Sequence, residues 1–151
     1  MKNFLKRLVP MRVLYAIARA YWFFRRPVTH GARIVLENNG QLLLVRHTYQ
    51  PNYWTFPGGG IKKEENAEDT LRREVKEEIG INLDEISYVG EFKNKQDFKD
   101  DTVAVYISQV SDTSICRDQL EILETRWFPI KEMPKLPQNA QKIFDIAHGH
   151  I

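Results

Sequence analysis

The pattern of apolar and polar positions along the chain predicts a succession of strands and helices. Apolar residues spaced three and four apart mark one face of a helix, and they predict three helices. The helices are predicted at about 11–24, 67–79 and 138–147. Short runs rich in β-branched and aromatic residues predict strands. The strands are predicted at 32–36, 41–46, 86–92, 102–110 and 126–130. This order of elements favours an α/β or α+β fold, with one mixed sheet between helices.

Local signals indicate where several of these elements begin and end. Asn38-Asn39-Gly40 predicts a hairpin turn between the first two strands, because Asn and Gly tolerate positive φ. Asn66 suits the N-cap of the second helix, and Gly80 suits the position just after its end. The aromatic, Pro- and Gly-rich residues 49–60 and the polar stretch 93–101 are expected to be loops.

Charge is distributed unevenly along the chain. Residues 1–36 hold eight of the 22 Lys and Arg and none of the 20 Asp and Glu, so the remainder carries a net charge of −6. Pro10 suits the first turn of the N-terminal helix. Arg12 and Arg19 interrupt the apolar run of that helix, which is too short to cross a bilayer.

Three interpretations of this basic, amphipathic N-terminal segment stay open. The helix packs on the rest of the domain or on a second subunit, forming a homodimer. It lies on a membrane surface as a peripheral contact through residues 1–26. It is a targeting segment that is removed, with Ala18-Arg19-Ala20 as the small-x-small site. We therefore treat residues 1–27 as an N-terminal helical extension and residues 28–151 as the main domain.

The composition is typical of a globular protein and excludes a disordered or fibrous one. With 151 residues, of which 42% are hydrophobic and 28% charged, the chain is typical of one globular domain. Its single cysteine, Cys116, excludes an intrachain disulfide. One unpaired cysteine fits a reducing compartment, so a cytoplasmic location is expected.

Three carboxylates share one face of the predicted helix 67–79. Glu74 and Glu77 are three residues apart, and Glu74 and Glu78 are four apart. Such hard oxygen ligands suit Mg²⁺ or Mn²⁺, whereas a solvated acidic face is the ordinary alternative. The preceding Gly58-Gly59-Gly60 allows close approach of the backbone, which favours the metal site.

The segment that contains these residues resembles the signature of a known family. The Nudix box reads G-x5-E-x7-R-E-U-x-E-E-x-G-U, where U is aliphatic, and residues 59–81 match every fixed position. Those positions are filled by Gly59, Glu65, Arg73, Glu74, Val75, Glu77, Glu78, Gly80 and Ile81. The resemblance extends more loosely over about 31–147, and residues 1–30 lie outside it.

The resemblance implies an α/β/α sandwich and a pyrophosphohydrolase that acts on a nucleoside diphosphate linked to another moiety. By the same resemblance, Mg²⁺ or Mn²⁺ is held by three glutamates and one backbone carbonyl, and an ion pair braces the loop against the helix. The implied ligands are Glu74, Glu77, Glu78 and the carbonyl of Gly59, and the implied ion pair is Arg73 with Glu65. Glu74 and Glu121 share the expected role of general base, with Glu124 as the next candidate after Glu121.

The substrate is less well defined, because residues that bind it lie outside the box. Arg46 and His47 end a predicted strand and are candidates for phosphate contacts, and Trp54 and Phe56 are candidates for stacking on a base. The chain resembles a general MutT-like member, so a small nucleotide is the expected substrate, with no binding of duplex DNA. The alternatives are an RNA 5′-end pyrophosphohydrolase and a non-catalytic nucleotide-binding module.

Overall fold

A mixed sheet of seven strands organises the part of the chain that the structure describes. The structure is a computed structural model, and it describes residues 10–25, 28–94 and 100–151. Its strands are β1 (Val28–Asn38), β2 (Gln41–His47), β3 (Gln50–Thr55), β4 (Gly58–Gly60), β5 (Ser87–Asn94), β6 (Asp100–Gln109) and β7 (Ile122–Pro129). Its helices are α1 (Met11–Arg25), α2 (Ala67–Ile79) and α3 (Gln138–His148), with a 3₁₀ turn at Ile130–Glu132. No helix within these ranges is long and apolar enough to cross a membrane.

The strand pairing separates β1 from β2 over most of their length. The central path runs β3-β2-β1-β6-β5, and β1 and β6 are parallel from Val28↔Asp100 to Glu37↔Gln109. β1 pairs with β2 only at the hairpin end, at Glu37↔Leu42 and Asn38↔Gln41. Its opposite end pairs with β4, while β2 pairs with β7 along its length. This arrangement places the glycine backbone of β4 beside residues 31–33 of β1.

Two hydrophobic cores lie on the two faces of the sheet, which confirms the expected α/β/α arrangement. Alternate residues of β2 point to opposite faces, so Leu43 and Val45 join the core beneath α2, while Leu42 and Leu44 join the core beneath α3. Because β2 is buried on both faces, its sequence is an unbroken apolar run.

Helix α2 begins and ends where the sequence predicts. The Asn66 side chain accepts a hydrogen bond of 2.8 Å from the backbone N–H of Asp69. Gly80 adopts φ 79°, and its N–H donates to the carbonyl of Lys76. The predicted hairpin turn is also confirmed, since Asn39 and Gly40 adopt φ 48° and 76°. The predicted caps and the predicted turn both depend on residues that are close to one another in the chain.

The prediction of a loop over 49–60 is wrong. These residues contain β3, which pairs with β2 at the edge of the sheet, and β4, which pairs with β1. An edge strand tolerates Pro51, because its outward N–H positions need no partner. The last predicted strand is longer than expected and includes Ile122. Residues 95–99 of the expected loop 93–101 lie outside the described residues.

Helix α1 has one face against the domain and one in solvent. Met11, Leu14, Tyr15 and Ala18 are partly buried, whereas Ile17 is 61% exposed. The Arg12 guanidinium Nε donates to the carbonyl of Thr48 at 3.4 Å. Within the described residues, α1 therefore packs on the domain. Contact of residues 1–26 with a membrane or a second subunit stays a prediction.

Candidate active site

The glycine strand β4 is wedged between β1 and the acidic face of α2. A Cβ atom on Gly58 would lie 2.2 Å from the carbonyl oxygen of Ala32, and one on Gly59 would lie 2.7 Å from Cδ of Glu74. Arg33 holds the same segment, since its Nη1 donates to the carbonyl of Gly58 at 2.8 Å. Only a backbone without side chains can lie this close to Glu74.

An ion pair joins the segment before α2 to the helix itself. Arg73 donates from Nε to Glu65 Oε1 at 2.6 Å and from Nη2 to Glu65 Oε2 at 2.8 Å. The hydroxyl of Thr70 also donates to Glu65, at 2.8 Å. The Arg73 hydrogen bonds lower the pKa of Glu65 to about 2. Arg73 Nη1 also donates to Glu74 Oε1 at 2.5 Å, so the pair also orients Glu74.

Glu65→Gln is expected to lower the thermal midpoint of the metal-free protein at pH 7. Because folding lowers the pKa of Glu65 from 4.5 to about 2, its stabilisation is complete above pH 4.5 and is lost as the pH falls toward 2. The difference in midpoint between wild type and Glu65→Gln should therefore shrink over that interval. Thermal unfolding followed by circular dichroism measures it, with the exposed neighbour variant Glu64→Gln as control. A difference that stays constant down to pH 3 would contradict the bracing role.

The three glutamates of the acidic face lie in different environments. The side chains of Glu74 and Glu78 are 17% and 5% exposed, whereas Glu77 is 55% exposed and lies 3.7 Å from Arg73 Nη1. Glu78 accepts a hydrogen bond of 3.3 Å from the backbone N–H of Gly58. Burial raises the pKa of Glu78 to about 8. A carboxyl this deeply buried keeps its charge only with a cation nearby.

The donor atoms in this region suit a hard divalent cation. All of the candidate side-chain donors are carboxylate oxygens, and the Gly59 backbone packs directly on Glu74. As the side chains stand, no three His, Cys, Asp or Glu residues in the described ranges gather closely enough to hold a metal ion. Glu74 and Glu77 both face Arg73 instead. The buried acid and the glycine backbone nevertheless fit the cation that the sequence predicts.

The two acids beyond the box occupy different positions. Glu121 is partly buried, and its charge contributes to the raised pKa values of Glu78 and Tyr49. Its segment lies beside the end of α2, because the backbone N–H of Asp118 donates to the carbonyl of Glu78 at 2.9 Å. The backbone carbonyl of Glu121 accepts a hydrogen bond of 2.9 Å from Thr48. Glu124 instead pairs with Arg46 and accepts a hydrogen bond of 2.7 Å from Arg126. The structure therefore brings Glu121, and not Glu124, toward the acidic face.

His47 is the predicted substrate residue that the structure brings to the site. Its Nδ1 lies 4.0 Å from Glu78 Oε1, and it is buried. Its Nε2 is buried without a hydrogen-bond partner among the described residues. Burial, reinforced by the charge of Arg33, lowers the pKa of His47 to about 3, so the ring is neutral at physiological pH. A neutral imidazole with one unpaired nitrogen can serve a bound ligand.

The structure places the other predicted substrate residues, Arg46, Trp54 and Phe56, on the α3 side of the sheet. Phe56 is fully buried in the core beneath α3. The Arg46 guanidinium lies 4.8 Å from the ring centre of Trp54 and pairs with Glu124. None of the three is among the described residues that line the cleft beside β4. Adjacent strand residues point to opposite faces, so Arg46 is directed away from the site that His47 reaches.

A cleft of about 920 Å³ opens beside β4. Its described lining combines residues of the site with basic and aromatic side chains from distant elements. They include Arg33, His47, Tyr49, Tyr53, Gly59, Phe92, Lys93, Asp101 and Lys142. Arg33 had a signal in the sequence, as a charge within an apolar strand. Lys93 and Lys142 had none, because only the fold brings β5 and α3 to the cleft.

A family model described as the NUDIX domain matches residues 26–146. The chain belongs to the Nudix hydrolase family. The match confirms the resemblance carried by the box, and it covers most of the chain. The Nudix box therefore corresponds here to the end of β4, the brace at Glu65 and helix α2. Hydrolases of this family generally use divalent metal ions, which agrees with the donor atoms described above.

Individual relatives support membership of the Nudix family. The m7GpppN-mRNA hydrolase of Saccharomyces cerevisiae is 36% identical over 107 residues, 70% of this chain and 11% of the relative. The RNA pyrophosphohydrolase of Marinomonas sp. is 44% identical over 57 residues, 38% of this chain and 35% of the relative. The chain thus spans about a tenth to a third of the length of these relatives.

Solved structures show the same fold. The MutT protein of Methanosarcina mazei Go1 superposes with a TM-score of 0.72 at 22% identity, covering 82% of this chain and 96% of that chain. At this identity the likeness extends to the Nudix fold alone.

Proposed function

We propose that the chain hydrolyses a pyrophosphate bond in a nucleoside diphosphate linked to another moiety, with Mg²⁺ or Mn²⁺ as cofactor. The observation that carries the proposal is the buried Glu78, which receives a hydrogen bond from the glycine strand beside the cleft. Its natural counter-charge is a divalent cation, and its neighbours on the same helix face supply further oxygens. The proposed ligands are Glu74, Glu77, Glu78 and the carbonyl of Gly59.

The residues of this chain have distinct roles in the proposed reaction. A cation held by these ligands would neutralise phosphate charge and acidify water. Glu121 is the proposed general base, because its segment is hydrogen-bonded to Glu78 through Asp118, whereas Glu74 already accepts a hydrogen bond of 2.5 Å from Arg73. Arg73 holds Glu74 in place, and Glu65 holds Arg73. His47, which lines the cleft, is a proposed substrate contact.

The charge of the cleft favours an anionic ligand. Among its described lining residues, Arg33, Lys93 and Lys142 are basic and Asp101 is the single acid. Beyond residue 36 the chain carries a net charge of −6, so the basic lining contrasts with its surroundings. The exposed ring of Tyr53 also lines the cleft and offers a surface for a nucleobase. These features together support a nucleotide as the substrate.

An RNA with a 5′-pyrophosphate bond is the second candidate substrate. Helix α1 contains arginines and no acid, and its Tyr15 accepts a hydrogen bond of 2.9 Å from Gln50, a residue that lines the cleft. A basic helix at this position would attract a polyanion. Two relatives are named as enzymes of RNA, which supports the same candidate. A non-catalytic module is less favoured, because Glu74, Glu77 and Glu78 are all present.

A substrate panel tests the proposal. The full chain is incubated with Mg²⁺ and nucleoside triphosphates, nucleoside diphosphates linked to a sugar, or 5′-triphosphorylated RNA, and phosphate and pyrophosphate release are measured. Turnover of a small nucleotide is expected. Lys142→Gln should raise KM about tenfold, equivalent to about 1.4 kcal/mol of binding, whereas the exposed Lys135→Gln should not change it. Turnover of RNA alone would favour the second candidate, and nucleotide binding without any turnover would overturn the catalytic proposal.

A further inference from the structure

Three aromatic rings form a continuous stack from helix α1 to the acidic face of α2. The ring centres of Tyr15 and Tyr49 are 4.7 Å apart, with 28° between their planes. Tyr49 and His47 follow at 4.9 Å and 21°. The His47 ring in turn approaches the buried Glu78, with 4.0 Å between its Nδ1 and Glu78 Oε1. A side chain of α1 is thus linked to a proposed metal ligand by two ring contacts.

Two hydrogen bonds hold helix α1 against the short connection between β2 and β3. Gln50 Nε2 donates to the Tyr15 hydroxyl at 2.9 Å, and Arg12 Nε donates to the carbonyl of Thr48 at 3.4 Å. These bonds flank Tyr49 in the sequence, so α1 holds the short connection between β2 and β3. On the other side of the helix, Val13 and Ile17 are exposed.

The stack matters because little else orients His47. Its Nε2 has no hydrogen-bond partner among the described residues, and its Nδ1 is 4.0 Å from Glu78, beyond a normal hydrogen bond. The plane of the ring is therefore set by packing, and Tyr49 covers one face of it. Tyr49 is in turn covered by Tyr15. A change at Tyr15 should reach His47 through the tilt of Tyr49.

We propose that Tyr15 is a positioning residue of the active site, acting through Tyr49 to orient His47 beside Glu78. The family model begins at residue 26, so the first ring of the stack is supplied by a helix outside the matched domain. The effect on turnover rests on the proposed function, whereas the effect on His47 does not.

The orientation of His47 can be measured without any substrate. The chain contains four histidines, so selective ¹³C,¹⁵N-histidine labelling of the full-length protein gives a small set of imidazole resonances, and His47→Gln assigns that of His47. Tyr15→Ala and the bulkier Tyr15→Leu should both shift the His47 signals. Tyr15→Phe, which keeps the ring, and Ile17→Ala, on the exposed face, should not. His47 signals that stay at wild-type positions in both ring-less variants would overturn the proposal, even if the protein proved to have no activity.

Turnover separates positioning from simple packing. With a nucleotide that the wild type hydrolyses, Tyr15→Leu should lower kcat about tenfold or more, since small misplacements of a catalytic group are costly, and should change KM less than about twofold. Tyr15→Phe, which keeps the ring, should have the kcat of the wild type. A fall in thermal midpoint with kcat unchanged in the folded fraction would assign Tyr15 to packing alone and overturn the proposal.

Discussion

Glu78→Gln is expected to reduce metal-dependent turnover by at least about 100-fold, since the loss of even an outer-shell partner of a metal ligand approaches that effect. The Glu78 side chain is 5% exposed, so water cannot readily take its place as a ligand of the cation. Glutamine keeps the shape and one oxygen to accept the hydrogen bond from Gly58, but it brings no negative charge to the cation. The protein should lose activity because it loses an anionic ligand.

The same substitution should leave the metal-free fold intact. Burial raises the pKa of Glu78 to about 8, so a neutral side chain already suits that environment when no cation is bound. Turnover is measured against Mg²⁺ concentration, and folding by thermal unfolding with circular dichroism. Glu68→Gln, in the exposed first turn of α2, is the matched control and should retain wild-type activity. Wild-type turnover by Glu78→Gln in Mg²⁺ would end the assignment of Glu78 as a ligand.

Gly58→Ala should lower the free energy of unfolding by about 3 kcal/mol or more, because backbone strain of roughly 1–3 kcal/mol is added to a steric clash. Gly58 adopts φ 134°, which L side chains rarely do. A Cβ there would lie 2.2 Å from the carbonyl oxygen of Ala32 in the paired strand. All of the nearest atoms that this Cβ would meet belong to the backbone of Ala32 and Arg33, so β1 and β4 would have to separate.

The neighbouring glycines provide matched controls for Gly58→Ala. A Cβ on Gly60 meets none of the described atoms within 4 Å, so Gly60→Ala should be nearly neutral. A Cβ on Gly59 meets Glu74, whose side chain can move, so Gly59→Ala should impair activity more than stability. Urea unfolding of the three variants measures the order. Equal stabilities of Gly58→Ala and Gly60→Ala would contradict the packing of β4 against β1.

The sequence predicted the parts of the site that depend on residues near one another in the chain. Helix α2 has the predicted bounds, and Asn66 and Gly80 cap it as expected. The carboxylates of Glu74, Glu77 and Glu78 share a face because helical spacing places them there. Glu65 accepts a hydrogen bond from Arg73, eight residues further along the chain. These relations follow from helix geometry and local hydrogen bonding, so they need no knowledge of the rest of the fold.

The sequence failed where the outcome depended on strand pairing. The Pro and Gly content of residues 49–60 predicts a loop, but pairing with β2 and β1 makes strands of residues 50–55 and 58–60. Arg46 is a candidate because it ends a predicted strand that faces the glycine segment, and Phe56 is a candidate because an aromatic ring can stack on a base. Phe56 instead lies in the core beneath α3, and Arg46 lies over Trp54, which packs against the same core. The face on which a strand residue such as Arg46 lies follows from register.

For the three glutamates, spacing along α2 determined that they share one face, and the family signature assigned them to metal binding. Only the tertiary structure decided that Glu78 lies buried under β4 while Glu77 faces solvent. The tertiary structure also decided that Lys142 reaches the cleft and that Tyr15 stacks on Tyr49, which lines the cleft. Helical periodicity is a local property of the chain, whereas burial and the meeting of distant elements arise only when the sheet closes around its helices.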